Sequence, residues 1–309
     1  MRRDPAELQK EILALKAETG ATILAHNYVD GAIQDIADFC GDSLELSVKA
    51  KKYKAKKYKA DLMVFCGVRF MAETAKILSP ESRVFLPNSA AGCPMADMAQ
   101  VDEVRQYRRE HPDEVLVAYV NSSAAVKAQV DWCCTSGNVE RVLNAIPAEA
   151  KVMFLPDRNL GANMSDKLGR PMSLWSGCCP VHDHITLESI REARAAHPEA
   201  EVLVHPECRP MIVDAADAAL STGGMLRHVS ESLFKEFIIG TELGIIHRMM
   251  RENPDKVFHP LLPQVVCPDM KKITLENVLA ALQGKCEEIV LDPEIMTAAL
   301  APIERMLAL

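Results

Sequence analysis

No pair of the ten cysteines in this 309-residue chain is spaced Cys-x-x-Cys. That absence removes the zinc-ribbon and thioredoxin readings. No apolar run reaches about 18 residues, so no membrane span is expected. The start, Met1-Arg2-Arg3-Asp4-Pro5-Ala6-Glu7, lacks an apolar h-region, so no secretory signal is expected either. Positive charge is short as well: 35 Lys and Arg face 43 Asp and Glu, a net −8. A nucleic-acid binder usually carries a basic face, which disfavours that class. A cytoplasmic protein is therefore expected, and reducing conditions there keep thiols free. Ten cysteines in such a chain favour metal or catalytic roles over disulfides. Cys40, Cys66, Cys133, Cys134, Cys208 and Cys286 read as small buried hydrophobes.

What is present is a pattern in triplicate. Short apolar runs alternate with helical stretches, which predicts βαβ units and parallel sheets, with ligands at the carboxyl ends of the strands. Residues 5–19 read as an amphipathic helix on Leu8, Ile12, Leu13 and Leu15, stopped by Gly20. Three apolar runs then end in polar residues: 22–25 in His26, 114–118 in Tyr119, and 201–204 in His205. A hydroxyl follows each polar end by 17 residues, at Ser43, Ser136 and Thr222. A cysteine follows each hydroxyl, at Cys93, Cys179 and Cys267, after 50, 43 and 45 residues. The first interval is long because Lys51–Ala55 is repeated at once as Lys56–Ala60, read as a longer surface helix. Two further apolar runs lie between hydroxyl and cysteine in every unit.

The expected architecture is α/β: three similar α/β/α sandwich domains, with parallel sheets around a pseudo-threefold axis. The boundaries read as 1–105, 106–190 and 191–309, each unit being roughly 85–90 residues plus terminal helices. The tail, Leu275–Leu282 and Pro293–Leu309, reads as closing helices.

All three cysteines precede proline, or stand in a Cys-Cys-Pro, after an apolar run and a few loop residues. Three thiolates without a fourth partner point to an open metal site, either zinc or an iron–sulfur cluster. Spacing alone leaves the middle ligand open between Cys178 and Cys179. His182 is close enough in sequence to support it. Gly-Asp-Ser, Thr-Ser-Gly-Asn and Ser-Thr-Gly-Gly read as helix N-caps, suited to carboxylate or phosphate. His26, Tyr28, His205 and Glu207 are candidates for proton transfer.

At this level of detail the chain resembles the quinolinate synthase family. The stretches that carry the likeness include His26-Asn27-Tyr28, Gly41-Asp42-Ser43-Leu44-Glu45-Leu46, Phe70-Met71-Ala72-Glu73-Thr74, Pro156-Asp157-Arg158-Asn159, Cys179-Pro180-Val181-His182, Val204-His205-Pro206-Glu207 and Ser221-Thr222-Gly223-Gly224-Met225. They run in order from about residue 22 to 280.

The resemblance implies a [4Fe-4S] cluster on Cys93, Cys179 and Cys267, with one iron open as a Lewis acid in a non-redox role. It implies condensation of iminosuccinate with dihydroxyacetone phosphate to quinolinate, releasing phosphate and water, in NAD biosynthesis. It implies a substrate site of His26, Ser43, Tyr119, Val120, Asn121, Ser136, His205, Pro206, Glu207 and Thr222. Tyr28, His205, Glu207 and His182 are the implied catalytic groups. Functional coupling to L-aspartate oxidase, the source of the imine, is expected. The Cys-x-x-Cys-x-x-Cys of some members is absent, leaving only Cys286 near the end. Competing readings are an aconitase-type hydro-lyase, a zinc enzyme and a cluster-bearing sensor; a sensor has no need of so many acid–base groups.

Overall fold

The computed structural model describes residues 3–55 and 62–309. Twelve strands fall into three groups of four. The first holds β1 (Thr22–His26), β2 (Phe39–Gly41), β3 (Leu62–Cys66) and β4 (Arg83–Leu86). The second holds β5 (Val115–Tyr119), β6 (Trp132–Cys134), β7 (Val152–Leu155) and β8 (Ser173–Leu174). The third holds β9 (Glu201–Val204), β10 (Ala218–Ala219), β11 (Glu236–Gly240) and β12 (Val257–Pro260). The spatial orders are β2-β1-β3-β4, β6-β5-β7-β8 and β10-β9-β11-β12, all parallel. One topology used three times, with helices flanking each sheet, is the expected α/β/α arrangement.

The central strands are apolar and buried along their length, because helices cover both faces of a parallel sheet. The second strand of each unit is too short and too mixed to stand out in sequence. Each follows a helix of one or two turns: Gly31–Gln34, Ala124–Lys127 and Pro210–Ala215. That helix plus that strand accounts for the constant distance from polar strand end to hydroxyl.

A carboxylate bracket marks the triplication again. Asp38, Asp131 and Asp217 each accept the amide hydrogen of a residue 15 positions earlier: Ile23, Leu116 and Val202, at 2.8, 2.9 and 2.7 Å. Each also pairs with a cation from the preceding helix: Lys16, Arg108 and Arg194, at 2.9, 2.8 and 3.0 Å. The bracket ties first strand, edge strand and covering helix of every unit together.

The helix Pro5–Thr19 starts where Asp4 caps the amide of Ala6, with proline at the first turn. It ends at Gly20, whose φ of 66° is left-handed. The closing helices return to the first two units. Leu275–Leu282 packs on Pro5–Thr19, and Pro293–Leu307 packs on β6 and the Ala124–Lys127 helix. Between them β13 (Glu287–Glu288) adds an antiparallel edge to β4. The helix Ser43–Ala55 covers the first Lys-Lys-Tyr-Lys-Ala copy. The second copy lies outside the described residues. Among the described residues no helix is long and apolar enough to cross a membrane.

Candidate active site

Every unit sends three chain segments to one central cavity. The first follows strand one of the unit and brings His26 and Tyr28, Tyr119 and Asn121, and His205 and Glu207. The second opens the helix after the edge strand and brings Ser43, Ser136 and Thr222. The third follows strand four and brings Cys93, Cys179 and Cys267. These twelve positions, together with His182, line a cavity of about 80 Å3. A larger cleft of about 440 Å3 lies beside Asn163 and Lys167, with no cysteine or histidine among its described lining residues.

Val120 and Pro206 lie beside the cavity and do not line it. β5 ends at Tyr119, and in the bend that follows Tyr119 and Asn121 line the cavity while Val120 is buried in the core. Pro206 stands in the turn closed by the Cys208 amide on the His205 carbonyl and lies outside the lining; its own carbonyl accepts from Asn163.

The three hydroxyls are not the caps themselves. Asp42 caps the helix Ser43–Ala55 by accepting from the Glu45 amide, while the Glu45 carboxylate accepts from the Asp42 amide. Ser221 caps Thr222–Glu231 through the Gly224 amide, and Thr135 accepts from the Gly137 amide. In the first and third units the preceding residue caps, and in the second Thr135 closes the turn before the helix, which leaves Ser43, Ser136 and Thr222 facing the cavity. Asp42 also accepts from the Gly223 amide at 3.2 Å, joining the first and third units.

Glu207 is the hub of the acid–base groups. Its Oε1 accepts from Tyr119 at 2.5 Å, and its Oε2 lies 2.8 Å from His182 Nδ1 and 3.9 Å from His205 Nδ1. Burial pushes this carboxyl up, but His205, His182 and the Tyr119 hydroxyl more than offset that. It is held well below the usual carboxylate range. His205 Nδ1 accepts from the Glu207 amide at 3.3 Å, and its Nε2 lies 3.2 Å from Ser136 Oγ. Burial pushes His205 down to about 4 and His26 down to about 3, so both are neutral imidazoles at neutral pH. Burial also raises Tyr28 and Tyr119 well above the ordinary phenol, keeping both hydroxyls protonated. Tyr28 bonds to Thr222 Oγ1 at 2.9 Å and Thr241 Oγ1 at 2.7 Å. Gly244 permits this approach, since a Cβ there would meet the Tyr28 carbonyl at 2.7 Å.

Each cysteine precedes a proline that opens a turn. Cys93 and Cys179 are N-caps of Pro94–Asp97 and Pro180–Asp183, and Cys267-Pro268 leads into Met270–Lys272. Proline fits there because that position needs no amide donor. The next amides turn toward sulfur: Ala96 and Met95 for Cys93, His182 for Cys179, and Met270 and Asp269 for Cys267. Burial raises the Cys93 thiol to about 12, Cys179 well above its ordinary value, and Cys267 upward. Buried thiols of this kind ionise when a metal takes the thiolate. Cys178 is outside the cavity lining, its amide turned to Met98 Sδ at 3.4 Å. Asn121 Oδ1 is buried, lines the cavity and has no hydrogen-bond partner among the described residues. Three thiols with amide donors, beside an unpartnered acceptor, fit a soft metal group with an exposed face.

Thr241 and Glu242 are site residues that the sequence reading missed. Glu242 is fully buried at the end of β11, accepts from the Cys267 amide at 3.2 Å and pairs with Lys271 at 3.1 Å. The signal was available: Gly240-Thr241-Glu242 ends an apolar run, as His26-Asn27-Tyr28 does.

Fold and cavity together define a three-unit α/β enzyme for a small polar substrate. The family model described as Quinolinate synthetase A protein matches residues 10–308. A quinolinate synthase from Desulforudis audaxviator (strain MP104C) is 50% identical over 303 residues, 98% of each chain. Quinolinate synthases from Methanoregula boonei (strain DSM 21154 / JCM 14090 / 6A8) and Thermodesulfovibrio yellowstonii (strain ATCC 51303 / DSM 11347 / YP87) are 47% and 46% identical, over 99% and 97% of each chain. The chain belongs to the quinolinate synthase family.

Proposed function

We propose that this enzyme condenses iminosuccinate with dihydroxyacetone phosphate to quinolinate for NAD biosynthesis. Phosphate and two waters leave, which balances the atoms without any net electron transfer. The observation that carries this reading is that three thiols and a neutral-histidine, tyrosine and glutamate network face one cavity.

Cys93, Cys179 and Cys267 would hold a [4Fe-4S] cluster. When bound, its open iron supplies Lewis-acid polarisation, a non-redox role. The chain's own groups do the rest. Ser43, Ser136 and Thr222, with the free amides beside them, hold the carboxylates and the phosphate. Asn121 Oδ1 offers an acceptor to a substrate hydroxyl or amine. His26 stays neutral, so it orients by hydrogen bonding and adds no charge. Tyr28, His205 and Glu207 exchange protons with the substrate during phosphate loss, isomerisation, ring closure and dehydration, and His182 supports Glu207. The imine is short-lived in water, so an L-aspartate oxidase would supply it.

Anoxic enzyme should form quinolinate from the two substrates, seen as a new pyridine absorbance and by mass. A cluster-loaded preparation that forms none, yet dehydrates a hydroxy-carboxylate, would favour the hydro-lyase reading.

A further inference from the structure

The third sheet carries a second group of ligating side chains, at the end of its strands away from the cavity. His197 ends the helix Leu187–Ala196, Glu236 opens β11, and His259 lies in β12. Register brings the three together. Glu236 and Ile238 share one face of β11, because side chains alternate along a strand. His259 stands opposite Ile238 in the parallel pairing, so it shares that face. Ile238 packs with Ile185, Ile190 and Val202 in the layer that the helix Leu187–Ala196 covers. The end of that helix sets His197 over Glu236 and His259. β11 runs on from Glu236 to Gly240 at the cavity end, so roughly 13 Å of strand separates the two places.

A ring nitrogen of each histidine and a carboxylate oxygen of Glu236 all lie within 4.8 Å of one another. His259 Nε2 is 3.7 Å from Glu236 Oε2, which is too long for a hydrogen bond. That nitrogen is nonetheless buried, with no hydrogen-bond partner among the described residues. A buried polar atom left so is uncommon and calls for a reason. A metal ion supplies one. Ligand atoms about 2.1 Å from a tetrahedral zinc stand about 3.4 Å from each other. The His197 and His259 rings stack, with centroids 3.5 Å apart and planes 17° apart. Imidazole donates in its own plane, so the rings must turn open to share one ion. The Glu236 side chain is 42% exposed, which leaves a solvent side for ion entry and for a water ligand. Two imidazoles and one carboxylate suit Zn2+, whereas calcium and magnesium prefer oxygen alone.

We propose that His197, Glu236 and His259 form a zinc site, with water as fourth ligand, that ties the helix Leu187–Ala196 to β11 and β12. The site is separate from the three cavity cysteines, and it does not rest on the quinolinate synthase reading.

The test uses cluster-loaded enzyme, dialysed under anoxia against a series of Zn2+ concentrations, with zinc and iron per chain then measured. Zinc should saturate at one per chain while iron stays unchanged. X-ray absorption at the zinc edge should show nitrogen and oxygen neighbours with imidazole scattering and no sulfur. H197Q and H259Q should each weaken zinc binding by about 10–100-fold, the loss seen even for groups one shell further out. Zinc should raise the unfolding temperature of the unsubstituted chain and leave that of H259Q where it was. Should H259Q not fold, E236Q carries the same comparison. A chain with no saturable zinc overturns the proposal. So does sulfur among the zinc neighbours, or zinc affinity unchanged in the folded variants.

Discussion

Tyr119 donates its phenolic hydrogen to Glu207 Oε1 at 2.5 Å across 88 residues of sequence. It is a hydrogen bond to a charged acceptor, between the second and third units, in a buried site. Such bonds are about twice as strong as neutral ones. Tyr119→Phe should cost about 1–3 kcal/mol of stability, from loss of a charged hydrogen bond. It should also lower kcat by about 100-fold, because Glu207 loses one of the groups that fix its orientation. Thermal unfolding and steady-state kinetics check both, and a phenylalanine variant with unchanged kcat would contradict the hub role of Glu207.

The adjacent cysteines give a sharper contrast. Cys179 lines the cavity and Cys178 does not. Cys178→Ser should retain iron and turnover within about twofold. Cys179→Ser should lose most of both, since a missing ligand costs metal affinity directly. Iron retention in C179S with loss in C178S would show that the neighbour is the ligand.

His26 and His205 make stability depend on acid. Both have folded values, about 3 and about 4, below the unfolded value of 6.5. The unfolded chain therefore binds more protons as pH falls below 6.5, and stability is lost through the window down to about 4 and then 3. Each unit of difference is worth about 1.4 kcal/mol. His205→Gln should flatten the fall between pH 6.5 and 4. Denaturant unfolding across that range tests it, and an unchanged slope would mean that His205 is solvated.

The bracket aspartates should behave as three copies of one device. Asp38→Asn, Asp131→Asn and Asp217→Asn keep the shape and remove the charge. Each should cost about 1–2 kcal/mol by weakening a charged hydrogen bond. The sites share no partner, so the triple variant should lie near the sum. Urea midpoints give the comparison; strong coupling among the three would contradict independent units.

The repeat was legible because it is written in residues that cannot hide: a polar group ending an apolar run, a hydroxyl at fixed distance, a cysteine before proline. The brackets on Asp38, Asp131 and Asp217 were missed because an Asp before a short strand looks like any turn residue. β2, β6 and β10 are two or three residues long and carry no periodicity of their own. Which residue of Asp42-Ser43 and of Ser221-Thr222 does the capping is set by the backbone and is not legible in the sequence. Thr241 was invisible because its partners, Tyr28 and His182, come from other units. The family likeness marks Val120 and Pro206 with their neighbours, while the turns that follow β5 and β9 leave both outside the cavity lining.

The central claim is that three thiols, far apart in sequence, share one open cluster. Iron and acid-labile sulfide per chain, measured after strictly anoxic purification, test it most directly. The account predicts a brown protein with about four of each, the content of one [4Fe-4S] cluster, and colour lost in Cys93→Ser, Cys179→Ser and Cys267→Ser alike. A colourless, active protein with stoichiometric zinc would contradict it.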